Sequence, residues 1–213
     1  DLKFVLNDDG VSYSVEARNN SVSGSLTIPS TFAGYPVTII GEAGFCGCEN
    51  LTAVTIPDSI TTLGSYAFAG CTNLKSIVLS KNLIEISNCA FENCTSLTSI
   101  TIPDGVTTMR ERVLKSCSSL TSVIIGKGVT TIGNAAFGAC VSLTSLEIPD
   151  NVTLIEEFAF YSCTSLKEVY CEPTTPPAGG SYMFYNNVSW RQIYVPRNSV
   201  SAYKSAEYWS DYT

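Results

Sequence analysis

The chain of 213 residues contains no histidine. That absence removes Ser–His and Cys–His nucleophile pairs, the usual mixed-ligand zinc sites and the commonest general base near neutral pH. Cations are also scarce: 12 Lys and Arg against 19 Asp and Glu leave a formal charge of −7. Phosphate binding needs clustered Lys and Arg that release counterions, so scattered cations argue against nucleic acid and against an anionic membrane surface. No apolar run approaches the ~20 residues that span a bilayer, so a transmembrane segment is not expected. The opening residues, DLKFVLNDDG, lack the basic start and apolar stretch of a signal peptide, which leaves a cytosolic protein or a mature or trimmed chain. Hydrophobic residues, by contrast, make up 45% of the chain, enough for a sizeable core, and cysteine occurs nine times. The odd number leaves at least one cysteine without an intramolecular partner.

Six of the cysteines, Cys48, Cys71, Cys94, Cys117, Cys140 and Cys163, are evenly spaced without a slip. Other positions keep the interval. Leu51, Leu74, Leu97, Leu120, Leu143 and Leu166 follow by three, and Val54, Ile77, Ile100, Val123, Leu146 and Val169 by six. Phe45, Phe68, Phe91, Phe137 and Phe160 precede by three, with Leu114 in the remaining copy. A leucine-spaced period of about 20 to 29 residues marks a solenoid, in which each unit stacks on the next. In LTAVTI (51–56) apolar and polar residues alternate, so Val54 and Ile56 face inward while Ala53 and Thr55 face outward. One short strand per repeat follows, and proline at 29, 57, 103, 149 and 196 ends it by withholding an N–H. Ile60 and Leu63 before Gly64 predict a second short extended piece and a bend; A-F-x-x-C is long enough for only a single turn.

The ends fit the same grid. One residue inserted in 173–180 puts Phe184 in the Phe slot, Asn187 in the Cys slot, Trp190 in the Leu slot, and Ile193 and Val195 in the strand. Cys171 then takes a buried Ile slot. At the start, Leu26, Ile28 and Pro29 match Val54, Ile56 and Pro57. Eight rungs result, with strands near 26–28, 54–56, 77–79, 100–102, 123–125, 146–148, 169–171 and 193–195. The chain 1–213 reads as a single domain: a hairpin cap over 1–24, repeats over 25–196 and a cap over 197–213. In the last, a short helix starts at Asn198 or Ser199, with Val200, Tyr203 and Trp209 available to cover the final rung. Both ends read as complete. At about 4.8 Å per strand, the sheet is on the order of 35 Å long.

Repeats such as SLTSITIPDGVTTMRERVLKSC, and the segments GSLTIPSTFAGYPVTIIG and IYVPRNSVSAYKSAEYWSDY, resemble the BspA-type leucine-rich-repeat proteins. The resemblance implies a right-handed, horseshoe-like leucine-rich-repeat solenoid of short parallel strands, turns and 3₁₀ pieces. It also implies a bacterial secreted or surface-anchored protein, with adhesion to host matrix or other cells as its role. The commoner pattern L-x-x-L-x-L-x-x-N is not followed, since Asn is missing after the strand and Cys stands before it. Partners of plant or vertebrate repeat proteins therefore do not carry over.

The cysteine ladder, with Asn187 as its last member, reads as structural: a small thiol points into the coil on each rung and hydrogen-bonds weakly to the turn. Adjacent rungs lie within the Cα reach of a disulfide, but stacked Cβ atoms stay at the rung spacing, wider than the ~3.8 Å a bridge prefers. A line of thiols does not converge on a tetrahedral metal, so neither metal nor other cofactor is expected. Cys46 and Cys89 lie off the ladder, and Cys46 is a candidate exposed thiol with no neighbour in sequence to activate it. The acid pairs Asp8–Asp9 and Glu156–Glu157 read as a hairpin turn and as neighbours on opposite faces. No catalytic residue emerges.

The outward strand face is the candidate binding surface. Thr52, Thr98, Thr121 and Thr144, beside Ser76, Ser99, Ser122 and Ser145, form small polar columns that a solvated sheet explains. Lys75, Ser76 and Val78 point outward on an early rung, and Glu147, Lys167, Glu168, Tyr170, Arg191, Gln192 and Tyr194 gather on the last three. Exposed aromatics with Arg are typical of interfaces, and packing against the C-terminal segment is the competing use. The expectation is a monomeric, non-enzymatic, extracellular or cell-surface module that recognises a protein or cell-surface ligand. The alternatives are a glycan-binding module using Tyr170 and Tyr194, or a structural spacer.

Overall fold

The computed structural model describes residues 1–212. It opens with a hairpin of β1 (Leu2–Leu6) and β2 (Tyr13–Ala17), whose turn is fastened where Asp9 Oδ1 accepts the N–H groups of Val11 and Ser12. The chain then coils between two walls of short strands. In chain order these are β3 (Gly24–Thr27), β4 (Thr31–Phe32), β5 (Tyr35–Ile40), β6 (Leu51–Thr55), β7 (Thr62–Leu63), β8 (Ser76–Val78), β9 (Glu85–Ile86), β10 (Ser99–Thr101) and β11 (Thr108–Met109). There follow β12 (Ser122–Ile124), β13 (Thr131–Ile132), β14 (Ser145–Ile148), β15 (Leu154–Ile155), β16 (Glu168–Cys171), β17 (Ala178–Gly179) and β18 (Gln192–Tyr194). The even-numbered strands from β6, together with β3, form the first wall, and the odd-numbered strands from β5 form the second. Only β4 departs, folding back antiparallel on β5.

Register follows the sequence period. Ala53 pairs with Ser76, Ser99 with Ser122 and Ser145 with Glu168, each one full period on. Tyr170 pairs with Tyr194, a period and one residue on, so the extra residue falls where the grid required it. The first-wall strands begin one to three residues before the expected bounds and most end one residue early, because the residue before the proline slot leaves the ladder while its side chain still points inward.

A third wall is built of turns, and its backbone is bonded between rungs as well. Ala43, Phe45 and Gly47 donate N–H groups to the carbonyls of Ser65, Ala67 and Ala69 at 2.8, 2.7 and 2.8 Å, and the pattern recurs along the coil. Making those bonds puts two residues per turn at positive φ. One series is Ala43, Tyr66, Cys89, Arg112, Ala135, Phe158 and Tyr182; the other is Gly47, Gly70, Asn93, Ser116, Ala139, Ser162 and Asn186. Left-handed backbone strains a non-glycine residue by on the order of 1 kcal/mol or more, which the inter-rung bonds offset.

Inside the walls the repeated apolar residues stack in columns. Phe45, Phe68 and Phe91 lie face to face at 5.2 and 5.7 Å, as do Phe137, Phe160 and Phe184 at 5.4 and 5.2 Å, with Leu114 between the two stacks. Burying each such side chain stabilises the coil by about 1.5–3 kcal/mol. At the far end, Arg197–Ser199 and α1 (Val200–Ser205) lead to Tyr203 and Trp209, both fully buried. The Tyr203 hydroxyl donates to the Pro173 carbonyl at 2.9 Å and Trp209 Nε1 to that of Pro177 at 2.8 Å. Ser199 stands at the N-cap, but its hydroxyl donates to the Thr174 carbonyl at 2.6 Å and caps nothing.

Three end residues depart from expectation. Val200 remains 41% exposed, because Tyr203 and Trp209 already cover the last rung. Trp190 does not fill its leucine slot; it is 58% exposed and lies under the Lys167 ammonium at 5.4 Å. Asn187 occupies the cysteine position, yet neither its amide nitrogen nor its oxygen meets a protein partner. A buried amide without partners costs about 1–3 kcal/mol. Asn187→Cys should therefore raise the urea midpoint at unchanged slope, by about 1–2 kcal/mol of stability; a lower midpoint would show that the amide is satisfied there.

Candidate functional site

The thiols of Cys71, Cys94, Cys117, Cys140 and Cys163 each donate to a carbonyl 26 residues back, those of Phe45, Phe68, Phe91, Leu114 and Phe137, at 3.1–3.2 Å. All nine cysteines are free. Burial pushes the Cys94, Cys163 and Cys171 thiols up to about 12 and raises Cys71, Cys117 and Cys140 in the same sense, so these sulfurs stay protonated and unreactive. Cys89 is buried at one of the left-handed turn positions, with its thiol also raised by burial, and Cys46 is half-buried. The ladder is a hydrogen-bonded spine.

On the first wall, alternation sends every second strand residue outward. One column reads Thr55, Val78, Thr101, Ile124, Glu147, Tyr170 and Tyr194, with Glu147 paired directly to Tyr170 and Tyr170 to Tyr194. The two tyrosine rings stack at 4.7 Å and 9°, and both remain exposed. The neighbouring column carries Ser145, Glu168 and Gln192 in register. Lys167 sits at the strand edge over Trp190. Lys75 stands on the same edge near β8, far from this cluster. Arg191 turns away from the face altogether: its guanidinium lies 4.3 Å from the Phe184 ring and 5.1 Å from Tyr212, and desolvation lowers its pKa. The structure thus brings Glu147, Glu168, Tyr170, Gln192 and Tyr194 together and leaves Lys75 and Arg191 elsewhere.

Glu172 and Ile124 on this face escaped the sequence reading. Glu172 occupies the slot that holds proline in several other repeats, and its carboxyl comes beside that of Glu147; burial, then the Glu147 charge, push it above the usual carboxylate range. Val78 and Ile124, 60% and 61% exposed, floor a groove of about 600 Å³ that reaches Glu147 and Glu172. A smaller hollow continues it between Glu147, Tyr170, Glu172 and Tyr194. Alternation already turns Val78 outward, and following that column down the period would have found Ile124 as well. On the turn wall, Phe158 and Tyr182 also stack, at 5.4 Å, with Tyr161 and Tyr185 edge-on to them.

Residues 19–144 and 130–210 match the BspA type leucine-rich-repeat region, with six copies. The chain belongs to that family. Among solved structures, this BspA-type chain is similar to the leucine-rich-repeat protein of T. pallidum, with a TM-score of 0.80, 26% identity, and 97% and 94% of the two chains covered. It shares its fold with a leucine-rich cell surface protein from Faecalibacterium prausnitzii, at TM-score 0.50 and 24% identity over 92% and 74% of the chains. A leucine-rich-repeat protein from Bacteroides ovatus aligns at TM-score 0.54 and 19% identity over 94% and 79%. Comparison with curated proteins yields no match. Leucine-rich-repeat proteins of this kind are typically recognition modules, and no described helix is long and apolar enough to cross a membrane.

The thiol spine of this BspA-type repeat sets a pH limit. Unfolded cysteine ionises near pH 8.5 while the buried thiols remain protonated, so above that pH the unfolded chain binds fewer protons and stability falls. Each buried thiol contributes about 1.4 kcal/mol per pH unit to the fall, and Cys71, Cys94, Cys117, Cys140, Cys163 and Cys171 together about 8. Urea midpoints measured from pH 7 to 10.5 should be level at first and then drop steeply above about pH 9. Cys117→Ser, which keeps a donor for the Phe91 carbonyl but does not ionise, should lessen the slope by about 1.4 kcal/mol per unit. A flat profile in the unsubstituted protein would contradict the buried ladder.

Proposed function

We propose that this chain is a non-enzymatic, extracellular or surface-displayed module that recognises a protein or cell-surface ligand, in an adhesive role, through the outward face of its first wall. The observation that carries this reading is the unbroken run of exposed Ile124, Glu147, Tyr170 and Tyr194 on adjacent strands, opening into one groove. A solvated sheet has no reason to collect large apolar and aromatic side chains in one line, whereas interfaces do. The backbone beneath is ordered by folding, so docking on it loses little further conformational freedom. Description of the F. prausnitzii neighbour as a cell surface protein supports the location.

Within this reading the hairpin of 1–24 and the segment 197–213 serve as caps on a single 1–213 domain, and the protein acts as a monomer. Protein is favoured over glycan as the ligand for a geometric reason. Tyr170 and Tyr194 stack ring on ring between neighbouring strands, which covers one face of each ring and leaves less flat aromatic surface for a sugar ring to stack on. A pure spacer would gain nothing from the apolar floor.

The unsubstituted protein and the Tyr170→Ala, Tyr194→Ala double variant should be compared on an array of extracellular-matrix proteins and on a glycan array. Retention on one or more proteins, falling about tenfold or more in the variant, is expected, since aromatic anchors commonly contribute over 1 kcal/mol each. Tyrosine-dependent retention on glycans alone would overturn the choice of ligand, and silence on both arrays would favour the spacer.

A further inference from the structure

The groove on the strand face has a polarity that restricts what it can hold. Its floor is aliphatic at Val78 and Ile124, and its far end is closed by Glu147, Glu172 and the stacked tyrosines. Among the described residues, no ion pair engages either carboxylate, although the two line the groove and its continuing hollow together. At the opposite end Lys81 is already paired with Asp58 at 2.8 Å, while Lys127, on the rung before Glu147, lines the groove without an ion pair among the described residues. The acidic end is therefore not neutralised by an ion pair, and the tyrosine hydroxyls beside it add acceptor oxygens.

We propose that the groove binds an extended peptide segment of another protein, seating one Lys or Arg side chain between Glu147 and Glu172 and one apolar side chain on the Val78–Ile124 floor. The proposal deepens the reading of this face as a recognition surface and rests on it. Charge complementarity selects the basic residue: a cation relieves the repulsion between two adjacent carboxylates, and charge-assisted hydrogen bonds are about twice as strong as neutral ones. Spacing selects the motif. Ile124 and the midpoint of the acid pair are about one and a half strands apart, roughly 7 Å, which an extended peptide covers in two residues at ~3.4 Å each. Rival ligands fit less well. No group of three His, Cys, Asp or Glu able to hold a metal ion occurs among the described residues, and the exposed Val78 and Ile124 side chains on either side of Thr101 suit an apolar side chain better than a sugar.

The probe is the synthetic peptide acetyl-Gly-Ser-Leu-Ser-Arg-Ser-Gly-amide, titrated into ¹⁵N-labelled protein beside a copy in which citrulline, the neutral isostere, replaces arginine. The arginine peptide should bind about tenfold more tightly than the citrulline peptide and shift amides of Ile124, Glu147 and Tyr170. Glu147→Gln with Glu172→Gln, both exposed and so safe for folding, should erase that preference while leaving citrulline binding within about twofold. Val78→Ser with Ile124→Ser should weaken both peptides alike. Equal binding of the two peptides, no saturable binding of either, or a preference that survives the Glu→Gln pair would each overturn the proposal. A matrix protein captured equally well by the Glu→Gln variant but lost on removal of the tyrosines would overturn it too, while leaving the recognition reading intact.

Discussion

Everything in this chain depends on backbone groups finding their partners one turn of the coil away. On two walls the partner lies a full period on through strand pairing, and on the third it lies one residue short of a period through turn amides. A single rung can satisfy neither its amides nor its apolar face, so no repeat is stable by itself and the stack forms as a unit. The strict period is the visible result, because a slip of one residue on any wall would misalign the other two. The coil absorbs extra residues only near its ends: five between β3 and β6, where β4 folds back on β5, and one between β16 and β18, in a Pro- and Gly-rich stretch.

What the sequence revealed and what it hid divide along that line. Side chains that face inward recur, so Cys71, Leu74 and Ile77 announce their column, and strands, turns and the thiol spine follow from their spacing. The left-handed turn positions were not legible, because residues such as Ala43, Tyr66, Arg112 and Phe158 carry no turn preference of their own. Their φ is imposed by amides bonded to the next rung, a tertiary cause that local propensity cannot express. Trp190 and Val200 were misplaced for a related reason: beyond the last regular rung, Tyr203 and Trp209 decide what is covered. On the face, the outward tyrosines were readable from alternation, whereas Glu172 was hidden in a proline slot and the turning away of Arg191 depends on Phe184 and Tyr212, which the period does not connect to it.

The same division separates stability from recognition. Inward positions are held to a narrow choice by packing against both neighbouring rungs, while the outward column runs through Thr, Val, Ile, Glu and Tyr on a common backbone. A surface of this kind can be re-lettered strand by strand without disturbing the core, which is how one solenoid serves different partners.

The thiol spine has a consequence for the order in which things happen to a newly made chain. Once the rungs have closed, each ladder sulfur is shielded and its proton engaged by the rung before it, so an oxidising medium finds little to attack. Before they close, nine thiols lie along a flexible strand, and any pair that meets can be locked into a loop that the coil cannot accommodate. Outside a reducing compartment, survival of the fold is thus a race between stacking and oxidation, decided by how quickly the first few rungs assemble and pull their sulfurs out of reach.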